Sequence, residues 1–264
     1  MLWCAVKPIA NHNGKSVRFE LIKGSKGEGS TIKNSEEDFD PSEYNTICRG
    51  VGKCINCGNI IANEHICSPG KPSKLGHQVY AVAYRDGLGK LEFSVPRDID
   101  LLGIQKAEKA LIDLMPSWEE KGLVSHESTP FNPQYSMIRN YGIIEWSQCF
   151  NPRQLLTLIT YERIIDDAKQ QIKNQNDPCR SNAIITYLAF ILDRCIDYNS
   201  RLSGWHSGHP SADRASKTHA LNLNWNYPEI NGSGQLWYWC ADAFVSDGSP
   251  GFMVIRLAYW NWRS

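Results

Sequence analysis

Hydrophobic and polar positions along this chain repeat with two different periods, and the change falls near residue 97. In "SVRFELI" at 16–22, Val17, Phe19 and Leu21 alternate with Ser16, Arg18 and Glu20, the pattern of a half-buried strand. "HQVYAVAY" at 77–84 and "KLEFSVP" at 90–96 flank "RDGLG", where Asp86-Gly87 and Gly89 offer the positive φ of a hairpin turn, so a hairpin is expected there. Between these strand regions, "NSEEDFDPSEY" reads as an acidic, solvated loop. From Asp98 the period becomes helical, with Ile99, Leu102, Ala107, Ala110, Leu111 and Leu114 on one face, and Pro116 is expected to end the helix. Residues 116–140, with Pro116, Pro130 and Pro133, read as an irregular linker.

The next helix start is written most clearly. In "FNPRQLLTL", Asn151 suits the N-cap and Pro152 the first turn, while Gln154, three residues after the cap, is a capping-box partner. A further helix is expected from Pro178 to Tyr198. Ile184, Leu188, Ile191 and Cys195 form one stripe, with Ile185, Leu192 and Ile196 beside it, a face wide enough to predict burial on most sides. "QLWYWCADAF" at 235–244 suits one more short helix, whereas 199–234 have little periodicity. The expected fold is α+β, with a β-rich region over 1–97, a helix and linker over 98–140, and a helical region over 141–264 ending in an irregular tail.

A chain of 264 residues, 42% hydrophobic, can bury one large core or two small ones. Twenty-eight basic and 28 acidic side chains, with a pI near 7.0, leave no global field for nucleic acid or anionic membrane, so any such binding must be local. The longest apolar run, "AIITYLAFIL" at 183–192, is about half of a bilayer span, so no membrane contact is expected. "MLWCAVKPIA" has neither a basic leader nor a small-residue cleavage site, which predicts a cytoplasmic address. Nine cysteines at irregular spacing then point to metal binding or plain burial rather than a disulfide framework.

Cys54 and Cys57, in "GKCINCGN", have the form of half a zinc ribbon, because a tight turn closed by Gly58 lets two thiolates reach one tetrahedral ion. The nearest residues to complete it, Cys48, His65 and Cys67, stand at spacings that fit no common ribbon. The alternatives are a complete site, a half-site completed from elsewhere, or an empty turn. His206, His209 and His219 are metal-ligand types on an irregular stretch and read as a solvated loop, and no cysteine stands in a recognisable activating context. Basic residues outnumber acidic ones, six to two, over 44–90: Arg49, Lys53, Lys71, Lys74, Arg85 and Lys90 against Glu64 and Asp86. This cluster suits either phosphate contact or a solvated strand edge. Arg153 and Gln154 either cap their helix or touch phosphate at its N-terminus. In "DYNSRLSGW", Asp197, Tyr198, Asn199 and Trp205 suit a polar network lining a cleft, with helix C-terminal punctuation as the alternative for Asn199 and Ser200.

Several of these segments together resemble the large prokaryotic adenine-specific DNA methylases that contain a zinc ribbon. The resemblance runs from about residue 5 to 235, through "KPIANHNGKSVRFELIKG", "GKCINCGNIIANEHI", "KPSKLGHQVYAVAY", "YGIIEWSQCFNPRQLLTLIT", "DYNSRLSGW" and "LNWNYPEIN". It implies DNA as partner, a role in DNA modification such as restriction or phage defence, a zinc-ribbon-like N-terminal region, and S-adenosylmethionine as cofactor of the intact enzyme. The family's Asp-Pro-Pro glycine-rich cofactor loop and Asp-Pro-Pro-Tyr catalytic motif are missing, since no two of the 13 prolines are adjacent. "GSKGEG" at 24–29 and "GSG" at 232–234 are not expected to join a buried strand to a helix, as a cofactor turn must. The family's first Cys-x-x-Cys precedes the segment like residues 2–20, so the chain resembles an interior piece. The expectation is a DNA-recognition and scaffold portion of a split or truncated methyltransferase, without activity alone and served by a companion catalytic chain. The rivals are a stand-alone zinc-ribbon nucleic-acid-binding adaptor and a gene fragment without function. The tail "GFMVIRLAYWNWRS" carries Trp260 and Trp262, aromatic surface that needs a cover.

Overall fold

The computed structural model describes residues 2–11, 16–35, 37–48, 50–67, 75–132, 136–206 and 211–245. Arg49, Lys71, Lys74, Pro133, His209 and the tail with Trp260 and Trp262 lie outside them. The fold is α+β, with small antiparallel sheets and five helices among the described residues. The chain forms two compact units, one of Met1–Gln105 with Ile138–Ile144, the other of Lys106–Met137 with Glu145–Ser264. Among the described residues no helix is long and apolar enough to cross a membrane.

In the first unit, β1 (Leu2–Ala10), β2 (Val17–Lys26) and β3 (Ile32–Lys33) form an antiparallel meander. Val17, Phe19 and Leu21 are half-buried while Arg18 and Glu20 are exposed, as the alternation predicts. The acidic segment is not wholly solvated. Phe39 is buried, stacks on Tyr44 and exchanges backbone hydrogen bonds with Ile32, because an aromatic in an acidic segment still gains by leaving water. Next come β4 (Ile47–Cys48), β5 (Val51–Lys53), β6 (Ile60–Ile61) and the short helix α1 (Asn63–Ile66). The expected hairpin follows as β7 (Val82–Arg85) and β8 (Leu91–Ser94). Of its two turn glycines only Gly89 takes a positive φ, 79°, since Asp86 Oδ1 accepts the Leu88 and Lys90 N–H groups and closes the turn.

The second unit is mainly helical. α2 (Asp98–Glu120), which belongs to it from Lys106 on, does not stop at Pro116: the carbonyl that loses its donor belongs to exposed Ile112, where water can serve it, and buried Trp118 anchors the last turn. The true stop is Gly122, at φ 67°, where Gly122 N–H donates to Glu119 and Leu123 N–H to Trp118, a Schellman motif. α3 (Pro152–Gln175) and α4 (Pro178–Tyr198) pack as a hairpin, and α5 (Gln235–Val245) packs on α4. Leu158, Ile191, Cys195, Leu236, Cys240 and Ala241 make the main core, with a second cluster of Leu111, Trp118, Val124 and Ile159. α4 is buried on one stripe rather than on most sides: Ile184, Ile191 and Cys195 are buried, but Phe190 and Ile196 are exposed. A two-stranded hairpin of β9 (Gly204–His206) and β10 (Ser211–Asp213) follows α4.

Candidate functional site

The start of α3 forms as its sequence dictates. Asn151 Oδ1 accepts the N–H groups of Arg153 and Gln154, and Gln154 Oε1 accepts the Asn151 N–H at 3.0 Å. Both side chains are fully buried, so Gln154 serves the cap rather than a ligand at the surface. The same Asn151 also donates through Nδ2 to Glu229 at 2.7 Å and to the Tyr227 hydroxyl at 3.2 Å. Arg153 closes on that carboxylate, Nε at 2.8 Å and Nη2 at 2.7 Å, and Nη1 stands 3.6 Å from Glu108. Its side chain is 15% exposed. Burial works against its charge, but the hydrogen bond and charge of Glu229 outweigh that and raise its pKa. The structure therefore commits Arg153 to carboxylates of its own unit.

The end of α4 joins the same network. Asn199 caps the helix, its N–H donating to Cys195, and its Oδ1 accepts the Ile230 N–H at 2.9 Å. It is punctuation and network together, and it is buried. Arg201 is buried as well. Its Nη1 donates to the Gln148 carbonyl at 2.9 Å, its backbone N–H to Cys149 at 2.8 Å, and its carbonyl accepts the Asn224 N–H. Burial without a hydrogen-bonded carboxylate holds the Arg201 guanidinium below its ordinary range and pushes the Cys149 thiol up to about 12.

Beside this network the second unit has a cleft of about 860 Å³. Trp146 and Phe150 line it from the 3₁₀ turn before α3, Arg194, Ile196 and Asp197 from the last turns of α4, and Arg214 to Ser216 with Thr218 to Leu221 from the loop after β10. Asp197 accepts the Ser216 N–H at 2.8 Å and its hydroxyl at 2.9 Å, which ties that loop to α4. Tyr198 packs edge-on against Trp239, with centroids 4.5 Å apart, and the Arg194 guanidinium lies 5.0 Å from the Tyr198 ring. Trp205, 37% exposed on β9, does not line this cleft. Of the expected cleft residues, Asp197 alone is in its wall.

In the first unit, Cys54 and Cys57 lie on a tight turn after β5. Gly58, at φ 72°, donates its N–H to the Cys54 carbonyl at 2.8 Å, and Cys54 N–H donates to Asn59 at 2.9 Å. Backbone N–H groups of Cys57 and Asn56, with the Cys57 thiol, hold the Cys54 thiol below the ordinary range. This activation depends on backbone direction, which spacing alone does not reveal. Iodoacetamide is therefore expected to label Cys54 at near-neutral pH ahead of exposed Cys48 and Cys179, as read by peptide mass spectrometry. Equal rates for the three would show that the turn does not stabilise the thiolate. Cys54 and Cys57 are two thiol donors, of the type that tetrahedral zinc takes. Cys48, His65 and Cys67 are not gathered with them, for among the described residues no group of three or more His, Cys, Asp or Glu is placed to hold a metal ion.

Lys53, exposed on β5, has no hydrogen-bond or ion-pair partner for its ammonium among the described residues. Arg85 donates to Gly89 and Lys90 pairs with Glu92, so both serve their hairpin. Sequence reading missed Glu229, Tyr227, Arg194 and Arg214. Arg153 and Glu229 stand 76 residues apart, and "NYPE" has no periodicity to assign it a face. No protein-family model, no curated protein and no solved structure matches this chain.

Proposed function

We propose that this chain is the DNA-recognition and scaffold portion of an adenine-specific DNA methyltransferase, served by a companion chain that carries the methyl transfer. The observation behind the reading is convergence. Three of the segments that carry the resemblance, "YGIIEWSQCFNPRQLLTLIT", "DYNSRLSGW" and "LNWNYPEIN", are separate in sequence but meet in one network: Asn151 and Arg153 on Glu229, Arg201 on Gln148 and Cys149, Asn199 on Ile230. Chance resemblance scattered along a chain has no reason to coincide with shared hydrogen bonds. The Cys54 and Cys57 turn supports a zinc-ribbon-like half-site, in which these two thiolates would hold zinc together with ligands from outside the described residues.

The glycine-rich stretches do not fit S-adenosylmethionine. Gly24 to Lys26 lie on β2, and Gly27 to Gly29 turn towards β3 rather than into a helix. Gly232 is a packing glycine, for a Cβ there would stand 2.4 Å from Thr157, and its carbonyl accepts the Tyr161 hydroxyl. Fluorescence anisotropy with a labelled DNA duplex tests the reading. Binding is expected to fall steeply with salt, and Lys53→Gln to reduce the slope of log affinity against log salt by about one. A flat salt response, or no binding at low salt, sinks it.

A further inference from the structure

We infer that the cleft of the second unit binds a small organic acid, a single carboxylate on an aromatic or bulky aliphatic body. The site is independent of the DNA-recognition reading and stands or falls apart from it. A cleft of about 860 Å³ has the size of small-molecule sites, which run to about 300–1,000 Å³. Trp146, Phe150, Ile196, Leu202 and Phe244 line it with apolar surface, and covering that surface is favourable for a ligand whose own body is apolar.

The polar groups of the wall select the charge. Arg194 lies against the faces of Tyr198 and Trp239, 5.0 and 5.9 Å from their centroids, and its buried Nε has no acceptor. Stacking holds this planar fork in place, and Nε with one Nη matches the two oxygens of a carboxylate. Arg214, exposed in the same wall, has no partner for its guanidinium among the described residues. Arg201 adds a buried charge next to the wall: it stands between the lining residues Ser200 and Leu202, has no carboxylate partner among the described residues, and its Nε also lacks an acceptor. Independently, Ser136 lines the cleft at 4% exposure, and its Oγ is buried with no hydrogen-bond partner. A buried hydroxyl is costly unless matched, and a carboxylate oxygen accepts from it. Asp193 and Asp197 stand in the same wall, the latter engaged by Ser216, and they limit the anion to one charge. A phosphate monoester brings about −1.5 to −2 at neutral pH and is repelled by both, whereas a carboxylate brings half as much.

The test is calorimetric titration of the full chain with naphthylacetate, and with naphthylacetamide as its neutral isostere. The acid is expected to bind with a Kd of about 1 mM or below, and about tenfold tighter than the amide, the effect of one charge-assisted pair. Arg194→Gln, its fold checked by circular dichroism, should remove that preference. Arg214→Gln, which alters an exposed side chain, should reduce it about threefold. The amide should bind both variants as it binds the unchanged chain. No binding of the acid, no preference for it over the amide, or a preference that survives both substitutions overturns the assignment. Naphthyl phosphate binding more tightly than the acid also overturns it, in favour of phosphate esters, and a short peptide with a free C-terminal phenylalanine doing so overturns it in favour of a chain terminus. None of these outcomes bears on the salt response that tests DNA binding, so the two readings fail separately.

Discussion

Glu229→Ala is expected to destabilise the second unit by about 3 kcal/mol, near the lower end for breaking a buried ion pair because one edge of the pair remains wet. Glu229 accepts from Arg153 at 2.7 and 2.8 Å and from Asn151 at 2.7 Å, so its loss strands a guanidinium that is 15% exposed and a donor on a fully buried cap. Glu108, 3.6 Å from the other guanidinium nitrogen, compensates only in part. Glu229→Gln keeps shape and one acceptor oxygen and should lose about half as much. Removing both partners, with Arg153→Met and Glu229→Ala together, should cost less than the sum of the single changes, because no unpaired charge is left buried. Urea unfolding followed by tryptophan fluorescence reads this unit, since among the described residues every tryptophan but Trp3 belongs to it. A loss under about 0.5 kcal/mol for Glu229→Ala would mean that the network does not hold the unit together.

Ile191→Ala should cost about as much, roughly 3 kcal/mol, through lost transfer energy and a cavity between α4 and α5. Ile191 is fully buried in the cluster with Cys195, Leu236 and Cys240, where the helices approach closely and little can collapse into the space. Ile196→Ala, on the same helix, should cost less than about 1 kcal/mol, because Ile196 is 39% exposed. The same denaturation measurement compares them directly. Similar losses at the two positions would show that α4 is enclosed on both sides in solution.

What could be read without coordinates is what the chain decides within about four residues. Asn151, Pro152 and Gln154 formed their capping box, α4 ran from Pro178 to Tyr198, and the β7–β8 hairpin closed at Asp86 and Gly89, because each rests on backbone hydrogen bonds or periodicity internal to one element. The two thiols of the Cys54 turn were legible for the same reason, although the N–H groups that favour the thiolate were not. Pro116 was misread because its effect depends on whether the freed carbonyl faces water or protein. Ile191 and Ile196 both belong to the wide apolar face read from the sequence, and packing against α5 decides which is core. Arg153 carried the two local meanings of cap and phosphate contact. It took a third role when the chain path brought Glu229 across 76 residues. The cleft likewise exists only where α4, the turn before α3 and the loop after β10 meet. Local order is thus written in the sequence, while the choice of partner for each buried charge depends on which distant groups the fold makes neighbours, since desolvation makes an unpaired charge costly wherever it is buried.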